Sequence, residues 1–227
     1  MNVTGLQAFD LNGAALLAHV SGGLFWPDEA LLVVADLHLE KGSSYAPRGD
    51  LLPPYDTAAT LERLLALVET LRPSRLVFLG DSFHDRAGPD RLAMQDRQRL
   101  TRLQQAAELI WVEGNHDLGS HPPGLGSAVV SLEVGPLTFR HEAETKTAAG
   151  EVSGHFHPKA RIRVSTGSTS ARCFIFDRRR VILPAFGAYT GGLDVRHPAV
   201  ATHFPNGFKL IALGQRRAAL LPETALA

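Results

Sequence analysis

The sequence contains a single cysteine, Cys173, among 227 residues. One thiol cannot form an internal disulfide, and it cannot build a metal cluster held by several cysteines. No apolar stretch reaches the ~18 residues that a membrane-spanning helix requires. The N-terminal residues also lack the basic start and apolar segment of a secretory signal, since the first basic residue is Lys41. The sequence therefore predicts a cytoplasmic protein with no membrane partner.

The chain also lacks an excess of charge of either sign, with 23 basic and 23 acidic residues. Attraction to nucleic acid or to a membrane must therefore come from local patches rather than from the net charge. One basic segment is present between residues 159 and 180, where Asp177 is the only acidic residue. Its seven basic residues are Lys159, Arg161, Arg163, Arg172, Arg178, Arg179 and Arg180. These side chains would contact phosphates if they share one face, whereas strand alternation could turn half of them away.

Apolar runs and helical patterns alternate in the first half of the chain. The runs at 31–35, 75–80 and 109–114 predict buried strands, and the patterns at 56–71 and 90–108 predict helices. This β-α-β-α-β order is typical of a parallel sheet covered by helices. The second half predicts a second, mostly antiparallel sheet stacked on the first, from short runs at 129–134, 137–141, 161–166, 172–177 and 180–185. The length favours one domain, residues 1–227.

Polar residues with metal-binding side chains follow most of these runs at the point where each strand is expected to end. They are Asp36 and His38; Asp81, His84 and Asp85; Asn115, His116 and Asp117; His141; and His155 and His157. Taken one at a time, such residues are ordinary turn formers or helix caps. Turn formation and helix capping do not explain why a strand followed by such residues recurs along the chain. Because ligands of open α/β sheets bind outside the carboxyl ends of the strands, these residues predict one common site.

Two carboxylates, Asp36 and Asp81, are expected at this edge. Their mutual repulsion should raise a carboxylate pKa and destabilise the protein unless a cation compensates. Two divalent cations would do so, with neutral histidine and asparagine ligands completing the site. Nitrogen and oxygen ligands suit manganese, iron or zinc and not copper(I) or iron–sulfur clusters. Two such ions that share one carboxylate are arranged as in enzymes that displace a phosphoryl group in line.

The motif order DLH…GD…GNHD…H…GHFH resembles the calcineurin-like binuclear metallophosphoesterase superfamily. Within it, the segments ADLHLEKGSSYAPRGDLLPPYDT, LGDSFHDR, EGNHD and SGHFHPKA are similar to the family of ligase-associated DNA damage response endonucleases, PdeM. The similarity extends from about residue 30 to residue 185. It implies an α/β fold, a four-layer αββα sandwich with two mixed β-sheets, and two divalent metal ions, with manganese favoured over iron or zinc.

The resemblance also implies roles for individual residues. The first metal would be held by Asp36, His38, Asp81 and His157, and the second by Asp81, Asn115, His141 and His155. His116 would act on the scissile phosphate as a catalytic residue. Many superfamily members have a second aspartate at the position of His84, so either His84 or Asp85 supports His116, with Asp85 favoured. Lys41, Arg48 and Asn115 are the candidates for substrate binding.

By the same resemblance, the expected activity is a metal-dependent phosphodiesterase, namely an endonuclease acting on single-stranded DNA in repair through water activated by two metals. DNA would be the principal partner, with a functional association with DNA ligase and helicase. One alternative is a phosphodiesterase for a small nucleotide or a lipid precursor. Another is a scaffold that keeps the fold without catalysis, which is disfavoured because all seven ligand positions are filled.

Overall fold

The computed structural model describes residues 5–45, 55–146, 149–165 and 167–227, and these residues contain two β-sheets. The strands of the first sheet are adjacent in chain order: β1 (Leu6–Leu11), β2 (Ala14–His19), β3 (Leu24–Trp26), β4 (Leu31–Val34), β5 (Arg75–Leu79), β6 (Glu108–Val112) and β7 (Ser127–Val129). Strands β1 to β4 pair antiparallel, and β4 to β7 pair parallel. The parallel half matches the β-α-β-α-β pattern of the sequence.

The second sheet is also mixed. Its strands are β8 (Leu132–Val134), β9 (Leu137–Phe139), β10 (Glu151–Ser153), β11 (Lys159–Val164), β12 (Gly167–Phe176), β13 (Arg180–Ile182), β14 (Lys209–Leu213) and β15 (Ala218–Pro222). The spatial order is β15-β14-β12-β13-β10-β9-β8, with β11 paired to β12. Strand β10 is parallel to both β9 and β13, and the other pairs are antiparallel.

The helices are α1 (Lys41–Tyr45), α2 (Asp56–Leu71), α3 (Gly88–Arg91), α4 (Met94–Ala106) and α5 (Pro198–Ala201). Single 3₁₀ turns are formed by Pro27–Glu29 and Glu223–Ala225. No helix among the described residues combines the length and the apolarity needed to cross a membrane.

Three apolar clusters define the layers. The cluster between the sheets contains residues from both, such as Val77 and Phe174. The outer face of the first sheet is covered by α2 and α4, whose leucines include Leu64 and Leu103. The outer face of the second sheet is covered by α5 and irregular segments, including Val200. The four-layer sandwich with two mixed sheets is thus confirmed, with a fourth layer that contains little regular helix.

The structure differs from two local expectations and contains one hairpin that was not expected. The helix expected over 90–108 is divided into α3 and α4, because Leu92 and Ala93 have extended backbone, with ψ of 122° and 149°. The run 129–134 belongs to two sheets, since β7 ends the first and β8 begins the second. The N-terminal β1–β2 hairpin was not expected, although Asn12-Gly13, with φ of 51° and 84°, is a strong hairpin-turn signal.

Candidate metal centre

Five strand ends meet at one edge of the sandwich. Strands β4, β5 and β6 of the first sheet and β9 and β10 of the second lead into the loops that carry the predicted ligands. The two sheets are joined there by hydrogen bonds. The backbone N–H of His155 donates to both carboxylate oxygens of Asp36, at 3.1 and 3.0 Å, and the N–H of Phe186 donates to the Ala35 carbonyl at 2.8 Å. Loops from different sheets are therefore fixed against each other.

The first group of converging side chains is Asp36, His38 and His157. The Nε2 atom of His157 lies 3.3 Å from Asp36 Oδ1 and 3.3 Å from the Nε2 atom of His38. One potential ligand atom from each of the three lies within 4.8 Å of the others. Asp36 and His38 are buried and His157 is partly buried.

The second group is Asp81, His141 and His155, joined by Asn115. The Nε2 atom of His141 lies 3.3 Å from Asp81 Oδ2, 3.1 Å from His155 Nδ1 and 2.8 Å from Asn115 Oδ1. Asp81 Oδ2 is also 4.0 Å from His38 Nε2 in the first group. All seven predicted ligands therefore lie at one site, and Asp81 lies between the two groups.

Hydrogen bonding alone does not account for this arrangement. A histidine ring nitrogen carries either one hydrogen or one lone pair, yet His141 Nε2 faces three electron-rich atoms at once. The facing Nε2 atoms of His38 and His157, 3.3 Å apart, can share only one hydrogen, and Asp36 Oδ1 lies at the same distance from His157 Nε2. A divalent cation satisfies several such donors together. The nitrogen and oxygen donors of both groups thus fit divalent metal ions of the borderline or hard type.

The pKa values within the site reflect the competition between its carboxylates and its burial. Burial disfavours the charged form of His141, but the carboxylates of Asp81 and Asp36 outweigh it and raise the pKa of His141 to about 9. Burial alone would raise the pKa of Asp81, but His141 and the His116 N–H hold that pKa at about 2. The raised carboxylate pKa expected from the sequence is therefore not found at Asp81, because His141 lies against it. Burial lowers the pKa of His38 to about 4.

Five of the seven candidate ligands have a backbone conformation that residues other than glycine rarely adopt. Their φ angles are 53° for Asp36, 46° for His38, 45° for Asp81, 70° for His155 and 48° for His157. Such conformations cost on the order of 1–3 kcal/mol each and concentrate at functional sites. Hydrogen bonds maintain them, as between the His38 N–H and the Asp81 carbonyl at 2.9 Å.

Two motif glycines allow the loops to approach each other. A Cβ atom at Gly154 would lie 2.6 Å from Asp36 Oδ2 and 2.9 Å from the Ala35 Cβ, which is closer than carbon atoms pack. Gly80 has a φ of 72°, and a Cβ there would overlap the His141 ring. These glycines are therefore required by the ligands that pack against them.

His116 lies beside the two groups with its side chain 43% exposed. Its backbone N–H donates to Asp81 Oδ1 at 2.9 Å, and its ring Nδ1 lies 3.0 Å from the carbonyl oxygen of His84. Because a carbonyl can only accept, Nδ1 carries the hydrogen of this bond. The other ring nitrogen, Nε2, is then directed towards the cluster, 4.0 Å from Asp81 Oδ2.

The support of His116 comes from neither of the two side chains considered in the sequence. The carboxylate of Asp85, which was favoured, binds the Arg91 guanidinium at 2.9 and 2.8 Å instead. His84 contributes its backbone carbonyl, and its ring lies 5.7 Å from the His116 ring and 5.4 Å from that of Tyr45.

Asp117 is a residue of the GNHD motif to which the sequence reasoning gave no role. It is buried, and its carboxylate accepts the backbone N–H groups of Ser82 at 2.7 Å, Phe83 at 3.1 Å and Gly114 at 3.1 Å. Burial, together with the nearby Asp81, raises the pKa of Asp117. Asp117 therefore connects the loop after β5 to the loop after β6.

The substrate-binding candidates are distributed around this edge. The Lys41 ammonium donates to the Tyr189 carbonyl at 2.9 Å, and Asn115 is exposed with its Oδ1 atom on His141. Arg48 lies outside the described residues. In the basic segment, Lys159, Arg161 and Arg163 share one accessible face. Arg180 is instead buried, with its guanidinium 3.3 Å from Glu151 Oε1.

Three solved structures are similar to this chain to different degrees. The solved structure of the Pseudomonas putida nuclease MPE shares 25% identity, with 96% of this chain and 100% of that chain covered and a TM-score of 0.73. A phosphoesterase, YfcE of E. coli, shares 16% identity over 87% of this chain and 99% of that one, with a TM-score of 0.41. A single mutant of Vps29 from Entamoeba histolytica shares 18% identity over 79% and 83%, with a TM-score of 0.33. A search of curated protein sequences gave no match.

The sequence model of the calcineurin-like phosphoesterase family matches residues 30–177, well over half of the chain. The match includes both candidate ligand groups and His116. Members of this family use divalent metal ions, in agreement with the donor atoms found here. The chain therefore belongs to the calcineurin-like phosphoesterase family.

Proposed function

We propose that the protein is an endonuclease that hydrolyses phosphodiester bonds of single-stranded DNA, in DNA repair, with two divalent metal ions. The observation that carries the proposal is the convergence of Asp36, His38 and His157 with Asp81, His141 and His155 next to His116. The likeness to the Pseudomonas putida nuclease supports a nucleic acid as the substrate. The family membership supports phosphoester hydrolysis in general.

The proposed first metal site consists of Asp36, His38, Asp81 and His157. The proposed second site consists of Asp81, Asn115, His141 and His155. Bound divalent ions supply Lewis acidity to the phosphoryl group and lower the pKa of water so that it can act as a nucleophile near neutral pH. Manganese is the proposed ion, and the nitrogen and oxygen donors also accommodate iron or zinc.

His116 is the proposed proton donor to the leaving oxygen. Its Nδ1–H is held by the His84 carbonyl, so that only Nε2 is available to a substrate. That nitrogen lies at the boundary of the ligand cluster, 4.0 Å from Asp81 Oδ2, on a side chain that is largely exposed. A phosphate bound over the cluster would therefore meet Nε2. In its imidazolium form, with a hydrogen on both ring nitrogens, His116 would stabilise negative charge there or give its Nε2 proton to the leaving oxygen. Such a contribution is typically worth ~10²–10⁴-fold in rate.

Lys41 and Asn115 are the described residues proposed to contact the substrate phosphates, with Arg48 as a further candidate. Asn115 is exposed beside the second ligand group. Lys41 is the first residue of α1, two residues beyond the buried Leu39, and its ammonium is near His84. Both are therefore proposed to contact a phosphate held next to His116.

The experiment is incubation of the purified protein with manganese and circular single-stranded DNA. Circular DNA has no ends, so conversion to linear fragments requires internal cleavage. We expect cleavage by the wild type and loss of cleavage in an Asp81→Asn variant, which lacks the shared carboxylate. The matched control is Asp90→Asn, which removes an exposed carboxylate from α3.

Three outcomes would contradict the proposal. Hydrolysis of small diesters such as bis(p-nitrophenyl) phosphate without cleavage of circular DNA would favour a small nucleotide or lipid-precursor substrate. Absence of both activities and of bound metal would favour a non-catalytic scaffold. Equal cleavage by wild type and Asp81→Asn would show that the activity does not come from this site.

A further inference from the structure

Strand β11 carries three basic side chains on one face. Lys159 is partly exposed and Arg161 and Arg163 are exposed, whereas Ala160 and Ile162 between them are buried in the core. Alternate residues of a strand point to the same side, with ~6.7 Å between them. The three cations therefore form a regular row, and the strand's packing fixes the side to which it points.

Strand β12 on one edge of β11 adds no negative charge to this face, and on the other edge Asp194, whose Oδ1 accepts the Arg196 N–H, is the residue bridged to Lys159. Arg161 is opposite Ser170 and Arg163 is opposite Ser168, both exposed, and Arg172 is opposite Lys159. The segment 159–172 contains no acidic residue. Within the described part of the chain, none of the three cations of the row forms an ion pair with a carboxylate. The exposed Arg161 and Arg163 are thus available to an external anion.

The row begins at the candidate metal centre. Lys159 follows the ligand His157 by two residues, and its N–H donates to the Leu193 carbonyl at 2.8 Å. Gly192 lies against both the His157 carbonyl and the Lys159 side chain. From Lys159 to Val164, β11 extends ~17 Å at the usual rise of a strand. An anionic chain anchored at the metal centre could therefore follow the row outwards.

We propose that the exposed face of β11, formed by Lys159, Arg161 and Arg163, binds the phosphate backbone of single-stranded DNA on one side of the cleaved bond. This inference rests on the proposed nuclease function and extends it, because it assigns the substrate a length greater than the scissile phosphodiester. A small diester would reach the metal centre without reaching Arg161 or Arg163. A polynucleotide would contact both.

The test is an Arg161→Gln/Arg163→Gln variant, compared with wild type and with an Arg97→Gln/Arg102→Gln control. The control removes the same charge from α4, on the outer helical layer. Binding of a labelled single-stranded oligonucleotide is measured over a series of salt concentrations, together with hydrolysis of bis(p-nitrophenyl) phosphate. The melting temperature of each variant checks folding.

We expect the β11 variant to bind the oligonucleotide about tenfold more weakly. Its plot of log affinity against log salt should lose ~1.4 of slope, since each phosphate contact with a single strand contributes ~0.7. Its hydrolysis of the small diester should be unchanged, and the α4 control should resemble wild type in all three measurements.

Other results would overturn the inference, and they can be told apart from failure of the nuclease proposal. Cleavage of single-stranded DNA by wild type with unchanged affinity and salt dependence in the β11 variant would refute the β11 surface alone. Equal weakening by the α4 control would assign the effect to net charge and also refute it. A wild type that hydrolyses only the small diester would refute both.

Discussion

His116 is the single residue on which the proposed chemistry depends most. It contacts the cluster through its backbone N–H and presents its ring from an exposed position. We expect His116→Ala to lower turnover of a phosphodiester by ~10²–10⁴-fold, with metal content unchanged because His116 is not one of the seven proposed ligands. Steady-state kinetics and metal analysis of the same preparation measure the two quantities.

The matched control for His116 is His197→Asn. His197 is exposed and caps α5 by accepting the Ala199 N–H, and asparagine preserves a cap of that type. This variant should keep wild-type turnover. If His116→Ala instead lost its metal and kept full turnover per loaded site, His116 would be a structural residue and the assigned role would be wrong.

Adding one carbon atom at Gly154 tests how closely the ligands must pack. In Gly154→Ala the added Cβ would meet Asp36 Oδ2 and Ala35 at distances that require the loops to separate. We expect at least tenfold weaker metal binding, since changes in the residues that position metal ligands typically lower metal affinity by ~10–100-fold. Equilibrium dialysis with manganese measures it.

Gly191→Ala provides the comparison for Gly154, because a Cβ at Gly191 would have no atom within 4 Å. That variant should bind metal like wild type. Equal affinities in the two variants would mean that the approach of the GHFH turn to Asp36 is not needed for metal binding.

At the scale of structural elements, Asp117 connects the loops that follow β5 and β6. Its two oxygens accept three backbone N–H groups. In Asp117→Asn one oxygen becomes an NH₂ group, which would face a backbone donor. We expect the free energy of unfolding to fall by ~1–3 kcal/mol, the cost of leaving a buried polar group unsatisfied. Urea denaturation measures the change.

The control for this substitution is Asp28→Asn, at an exposed position in the 3₁₀ turn after β3. Substitutions at the surface usually change the free energy of unfolding by no more than ~0.5 kcal/mol. Equal free energies of unfolding for the two variants would mean that the three hydrogen bonds of Asp117 do not stabilise the fold.

Helix α3 is joined to the loop after β5 by the Arg91–Asp85 ion pair, and Arg91 Nε also donates to Ser43 at 2.9 Å. Hydrogen bonding from Arg91 lowers the pKa of Asp85 below its usual value. A lowered carboxyl pKa stabilises the fold above the unfolded value of ~3.9, and this contribution disappears as the pH falls through the lowered pKa.

Arg91→Gln should therefore destabilise the protein at neutral pH by at most ~1 kcal/mol, because the pair is partly exposed. The difference from wild type should shrink as the pH falls below ~4. Thermal melting over a pH series measures it, with Arg86→Gln, an exposed neighbour, as the control. A difference that grows on acidification would contradict the sign of this effect.

The element scale also shows what the sequence could and could not predict. The bounds of α2 and the strands before the ligand loops follow from apolar patterns that depend on local packing alone. The support of His116 by the His84 carbonyl could not be predicted, since every residue type has a carbonyl. The direction of the β11 cations depends on which face packs against the core, and a short strand pattern does not settle that.

At the scale of the whole molecule, the candidate ligands belong to both sheets. Bound metal would therefore hold the sheets together as well as serve catalysis. A ligand that binds only the folded state stabilises it by ~2.7 kcal/mol when its free concentration is a hundred times Kd. We expect manganese to raise the melting temperature of metal-free wild type and a chelator to reverse the increase. A His155→Ala/His157→Ala variant should show little increase, and an increase equal to that of wild type would place the metal elsewhere.

The overall architecture was predictable because its cause is general. Parallel strands of one sheet place their carboxyl ends at one edge, so residues far apart in sequence, such as Asp36 after β4 and Asn115 after β6, meet there. The sparse fourth layer was not predictable. Its coverage of the second sheet comes from α5 and irregular segments, and these have no periodic pattern.

The most direct test of the central claim is an anomalous diffraction map of crystals equilibrated with manganese. The account predicts two peaks that share Asp81, one beside Asp36, His38 and His157 and the other beside Asn115, His141 and His155. A map with no peak at this edge, or with peaks only at other positions, would contradict it.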